Sequence, residues 1–185
     1  MRLIILGAGG YGQTVEDLAE QLGRYGEICF LDDHAQGSNV LGCCGDFLRF
    51  ADAVTEFYPA FGNNNIRISW LDRLENQGCG IATLIHPDAY CSPRAVIGKG
   101  TVILPKAAIN TNARTGRGCI LNLGALVDHG TVLGDGVHVC LGAIIKGDNI
   151  IPAGMKIEAG EVIERATFHG TAGHGGQLAG DATAL

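Results

Sequence analysis

No stretch of about 18 apolar residues occurs in this 185-residue chain, so a membrane-spanning helix is not expected. Arg2–Leu6 is too short for the core of a secretory leader and reads as a strand. Basic blocks are also missing, and the formal net charge is −6, which removes the electrostatic footprint expected of a nucleic-acid partner. Seven cysteines are present, scattered apart from the adjacent Cys43 and Cys44. They have neither the spacing of a disulfide framework nor that of a zinc site, so reduced thiols in a cytoplasmic protein are expected. Aromatic residues make up only 6% of the chain. Glycine, by contrast, numbers 29, about twice its usual share, which suits a fold with many tight corners.

The strongest pattern runs from Ile85 to Phe168, which divides without insertion into fourteen hexads. Position one is Ile, Leu or Val in twelve of them; the exceptions are Cys91 and Thr115. Position five is small or β-branched in ten consecutive hexads, from Ala89 to Ala143. One large aliphatic pointing inward every six residues predicts a β-solenoid of triangular section, with three short strands per turn. The small residue belongs near a corner. The rule weakens at Asn149, Met155 and Glu161, where a cap on the last coils is expected.

Residues 1–84 read differently. The strand Arg2–Leu6 meets Gly7-Ala8-Gly9-Gly10-Tyr11-Gly12, then a helix over 13–22 and a strand over 27–31 that ends in Asp32-Asp33. Strand, glycine turn, helix, strand and acid are the order of a Rossmann-like unit, in which glycines admit a pyrophosphate to a helix N-terminus. A tight structural turn is the other reading of the glycines, and a solvated turn the other reading of the two aspartates. About 80 residues is too short for a complete dinucleotide fold, which favours a nucleotide-sugar over NAD. Cys44–Phe50 can form a short helix, 56–61 is a further strand, and 65–76 is a helix with Ile66, Trp70, Leu71 and Leu74 on one side. A strand over 81–85 then leads into the hexads.

Two histidines fall in the central hexads. His129 holds the third position of VDHGTV and should face outward near a corner; His138 ends the next hexad, nine residues on. Half a coil separates them, so they meet only across a boundary between chains. An imidazole in a groove suits general-base work near neutral pH, although a polar surface residue reads the same from spacing alone. A zinc site of three histidines at a trimer interface would need a third partner in the core coils, and none is present. Asn122 lines the same groove or is an ordinary turn residue.

The segments GAGGYG, FLDD, FGNNNIR, LIHPDA, ILNLGALVDHGTVLGDGVHV and LGAI resemble, in combination, the two-domain nucleotide-sugar N-acetyltransferases and sialic acid O-acetyltransferases, including the bacillosamine-pathway type. The resemblance implies an α/β Rossmann-like domain (1–84), an all-β left-handed parallel β-helix (85–168) and a Gly/Ala-rich tail (169–185). It implies a homotrimer that binds acetyl-CoA between adjacent β-helices and a sugar substrate, with no metal. His129 matches the catalytic base, while His138 and Gly142 match the acetyl-CoA side. Gly9, Gly10, Tyr11, Asp32, Asp33 and Gly62 match substrate positions. The acceptor implied is the amino group of a nucleotide-linked 4-amino sugar, with sialic acid O-acetylation or a non-catalytic nucleotide-sugar-binding module as alternatives. Three departures stand out. Gly130 replaces an acid after the histidine, so the orienting carboxylate must come from elsewhere, with Asp128 the candidate. Tyr11 replaces a histidine, and about one coil is missing between Lys146 and Ile157.

Overall fold

The structure, a computed structural model, describes residues 1–169 and divides into two compact units, Met1–His86 and the chain from Pro87 onward. The expected tail, apart from His169, lies outside the described residues. In the first unit, β1 (Arg2–Leu6), β2 (Glu27–Leu31), β3 (Thr55–Pro59) and β4 (Gly80–Ile81) form a parallel sheet of order β2-β1-β3-β4. β1 is interior, which explains its unbroken apolar run: Leu3, Ile4, Ile5 and Leu6 are all fully buried. Helix α1 (Gly10–Leu22) covers the sheet with Val15, Leu18 and Ala19. It starts three residues earlier than the periodicity suggested, inside the glycine loop, and closes on Gly23 in the left-handed conformation. Cys44–Phe50 is a short 3₁₀ helix whose Phe47 packs with Phe57, Leu71 and Leu74 in the core.

Helix α2 (Asn64–Asn76) corrects one expectation. Arg67, not Ile66, shares the buried face with Leu71 and Leu74, while Ile66 is 47% exposed. Positions 67, 71 and 74 are separated by four and three residues, which defines a helical stripe. The buried guanidinium is satisfied, since Nη1 donates to the Phe61 carbonyl (2.8 Å) and Nη2 to Asn64 Oδ1 (2.8 Å). Asn63 caps the helix by accepting from the Ile66 N–H. The strand expected over 81–85 is instead two short strands, Gly80–Ile81 and Leu84–Ile85.

The second unit stacks two-residue parallel strands with an offset of eighteen residues. Leu126 faces Ala108 and Ile144; His138 faces Ile120 and Lys156; Val132 faces Arg114 and Ile150. Three faces of a triangular coil result. Every first-position residue from Ile97 to Ile163 is buried, and each fully buried aliphatic contributes about 1.5–3 kcal/mol. Position four is the corner. From Gly100 to Ala166 it is left-handed in all twelve hexads, and eight of these residues are glycine, which accounts for much of the glycine excess. The stacking continues unbroken through Lys146–Ile157.

Asn149 departs from the small-residue rule for a physical reason. Its side chain is wholly buried in the position after the corner and makes three hydrogen bonds. Nδ2 donates to the carbonyls of Lys146 (2.7 Å) and Glu164 (2.9 Å), and Oδ1 accepts from the Phe168 N–H (2.9 Å). The side chain thus supplies bonds to the main chain where the coil ends, including the acceptor for the Phe168 N–H.

Candidate active site

His129 lies at the corner between the strands Leu126–Val127 and Val132–Leu133. The residue before it turns its carboxylate back on it. Asp128 Oδ1 accepts from His129 Nδ1 (2.9 Å), from the His129 backbone N–H (2.7 Å) and from Asn110 Nδ2 (2.9 Å). These donors, the His129 N–H foremost and the imidazole next, hold the Asp128 carboxyl down at about 2. A carboxylate only accepts, so Nδ1 carries the proton. In the neutral ring the lone pair is therefore on Nε2, the arrangement a general base requires. Asn110 is itself oriented, because its Oδ1 accepts from the Thr111 N–H (2.7 Å).

Beside this corner is a groove of about 340 Å³, lined by the aliphatic side chains of Ala108, Leu126 and Ile144 and by Tyr90, Asn110, Asp128 and Lys146. Its lining is mostly apolar with a few polar groups, which suits an extended ligand with a reactive end near Asp128 and the histidine beside it. Gly130 has φ +67°, and a Cβ there would lie 2.6 Å from Asp148 Oδ1. The coil below therefore fills the space that an acid after the histidine would need, and Arg165 Nε holds that carboxylate through Oδ2 (3.0 Å).

His138 lies on the strand face opposite the His129 corner, so the fold of one chain keeps the two imidazoles apart. Asn122 Nδ2 is 3.5 Å from His138 Nε2, and Gly142 occupies a left-handed corner one coil after Gly124. Asn122 thus belongs with His138 rather than with His129.

In the first unit, Gly7–Gly10 and Gly62 lie at the C-terminal ends of β1 and β3, where the strand order reverses direction. Ligands bind at such a switch point in open α/β sheets. A Cβ on Gly9, Gly10 or Gly62 would meet nothing within 4 Å, so packing within the chain does not require glycine there. Gly12 is different, since its Cβ would lie 2.0 Å from the Gly7 carbonyl oxygen. Asp32 is engaged by the main chain: Oδ2 accepts from the Ala8 N–H (2.8 Å), and Oδ1 from His34 (2.8 Å) and Ala35 (2.7 Å). The Ala8 bond is the chief reason that its carboxyl lies below the ordinary range. Asp33 Oδ1 accepts from the Cys44 N–H (2.9 Å). The Tyr11 hydroxyl is paired with that of Tyr58 (2.7 Å), and burial, reinforced by that neighbour, pushes its pKa well up.

Residues 2–74 match the family model described as the PglD N-terminal domain. The acetyltransferase domain of PglB from Neisseria gonorrhoeae is 34% identical over 89% of this chain and 92% of its own, with a TM-score of 0.81. The chain belongs to the PglD-type bacterial nucleotide-sugar N-acetyltransferase family. It is an acyltransferase whose second unit is a left-handed β-helix. A structure of the PglB domain in complex with acetyl coenzyme A matches at 33% identity, over 88% of this chain and 92% of that one, with a TM-score of 0.78. A mutant perosamine N-acetyltransferase from Caulobacter crescentus, in complex with CoA and GDP-perosamine, shares the fold at 23% identity and a TM-score of 0.73, over 90% of each chain.

Among the described residues of this acyltransferase, no group of three or more His, Cys, Asp or Glu is arranged to hold a metal ion, and no helix is long and apolar enough to cross a membrane. Two site residues escaped the sequence reading, Asn110 and Gly147. Each is eighteen residues from a residue of the Asp128–His129 pair, and an offset of one full coil is the signal that identifies them.

Proposed function

We propose that the chain transfers the acetyl group of acetyl-CoA to the amino group of a nucleotide-linked 4-amino sugar, with His129 as general base. The carrying observation is the Asn110–Asp128–His129 arrangement, which protonates Nδ1 and leaves Nε2 as the acceptor, next to a groove that Asn110 and Asp128 line. Acetyl-CoA supplies the activated acyl carbon. Nε2 takes a proton from the amine as its nitrogen bonds to that carbon, and the resulting imidazolium returns the proton to the departing thiolate. A C–N bond forms, a C–S bond breaks and charge balances.

The glycines at the switch point support a nucleotide-linked acceptor over free sialic acid. Gly9, Gly10 and Gly62 keep open a space that the chain itself leaves unused, and a phosphate can approach the α1 N-terminus through it. Asp32 serves there by holding the loop through the Ala8 N–H, with Asp33 and Tyr11 beside it. His138 and Gly142 belong to the acetyl-CoA side. A homotrimer is part of this reading, because it brings a neighbour's His138 face toward the His129 corner. So is the cytoplasm, where the seven free cysteines stay reduced.

The test is a thermal-shift screen with acetyl-CoA and with UDP-, GDP- and CMP-sugars, followed by turnover of His129→Ala. Acetyl-CoA and one nucleotide-sugar are expected to stabilise the protein. The variant should keep its Tm and lose roughly 10²–10⁴ in kcat, the contribution of a general base. Near-wild-type turnover of the variant would overturn the role of His129. Stabilisation by none of the ligands would leave a non-catalytic module.

A further inference from the structure

We infer that Gly147 is a positioning residue for the His129 imidazole, and that its missing side chain is what seats the ring. The inference rests on the reading of His129 as the base. Gly147 holds the same hexad position as His129, one coil further on. A Cβ built on it would lie 2.8 Å from His129 Cε1, 3.0 Å from Nε2 and 3.2 Å from Nδ1. The imidazole therefore lies against bare backbone, with three of its five ring atoms close to one point. Asp128 fixes the ring through Nδ1, and Gly147 closes the adjacent side. Together they leave the ring one orientation.

The usual reasons for glycine do not apply at this position. Its φ is not in the left-handed region, unlike that of Gly130 beside the histidine. Thr111 and Arg165 occupy the same hexad position one coil before His129 and one coil after Gly147, so the backbone there accepts a side chain. Nor can the chain retreat from the contact. The Asp148 N–H donates to the His129 carbonyl (3.1 Å) on one side, and the Ala166 N–H to the Gly147 carbonyl (3.2 Å) on the other. Between a hydrogen-bonded ladder and the end of a side chain 44% exposed, the ring is what yields. Swinging it outward breaks the Nδ1 bond to Asp128 and moves Nε2.

The experiment uses Gly147→Ala, His129→Ala and the double variant, with acetyl-CoA and either GDP-perosamine or a UDP-linked 4-amino sugar as acceptor. In Gly147→Ala, kcat should fall roughly 10- to 100-fold, as for a catalytic group displaced by about 1 Å. KM for both substrates and Tm should stay near wild type, and the imidazole Cε1–H resonance should move. In the His129→Ala background the Gly147→Ala change should cost nothing further, which identifies the ring as the route of its effect. Wild-type kcat in Gly147→Ala, or an equal loss in both backgrounds, overturns the inference. Full activity of His129→Ala would instead overturn the general-base reading on which it rests.

Discussion

Replacing Asp128 by Asn tests the core of the site with almost no change of shape. The native carboxylate accepts from His129 Nδ1 at 2.9 Å and so determines which ring nitrogen carries the proton. An amide at 128 accepts more weakly and can also rotate its NH₂ toward Nδ1, which favours the tautomer with no lone pair on Nε2. A hydrogen bond to a charged group contributes about 1.5–3 kcal/mol, equivalent to roughly 10–150-fold in rate if it is lost only from the productive state. The two side chains are 44% and 41% exposed, so the lower part of that range is expected: a fall in kcat of about 10- to 50-fold. Stability should change far less. The Asp128 carboxyl lies at about 2 against an ordinary 3.8, worth at most about 2.4 kcal/mol and, after screening of so exposed a group, roughly 1. Because the folded value is the lower one, that contribution is complete above the unfolded value and is lost as pH falls from 3.8 through about 2. Acid melts of the two proteins should therefore converge near pH 2 and differ most at neutral pH. The assay is release of CoA thiol under saturating substrates, with a melt alongside. A variant within about 3-fold of wild-type kcat, beside an inactive His129→Ala, would refute the orienting role of Asp128.

Asn149→Ala restores the small residue that the hexad rule favours, yet it should destabilise. It takes the acceptor from the Phe168 N–H and one donor each from the Lys146 and Glu164 carbonyls, which keep Thr131 Oγ1 and Thr167 as donors, so the cost is about 1–3 kcal/mol by urea denaturation; an unchanged midpoint would show that these bonds contribute nothing net. Gly10→Ala and Gly62→Ala enter open space at non-left-handed positions. Calorimetry with UDP- and GDP-sugars should show weaker binding while Tm is held or slightly raised, since alanine restricts the unfolded chain by about 0.4–1 kcal/mol. Wild-type affinity in both would remove these glycines from the substrate site.

Much of the architecture was legible because it is periodic. First-position aliphatics face inward since successive strand residues alternate between faces, and that alternation is a property of the local backbone. The Rossmann-like order was legible for a similar reason, as glycine loop, helix and strand each follow from short-range preferences. What was not legible depends on which polar groups meet a side chain once the chain has folded. Ile66 is apolar and Arg67 charged, so composition assigned the buried face wrongly; acceptors such as the Phe61 carbonyl and Asn64 make a buried guanidinium acceptable. For Asp32 a ligand contact and a solvated turn are both open readings of the sequence, and the fold adds that its two oxygens accept from three backbone N–H groups.

The candidate site divides along the same line. The sequence by itself determined that His129 stands outward at a corner of a six-residue repeat, because position within a hexad sets inward or outward direction. Tertiary structure decided what that imidazole can do. Coils stack eighteen residues apart, so the groups that orient Asp128 and seat the ring, Asn110 and Gly147, come from the neighbouring coils above and below. A local rule repeated many times builds the scaffold. The proton's place on one nitrogen depends on contacts that exist only once the coils are stacked.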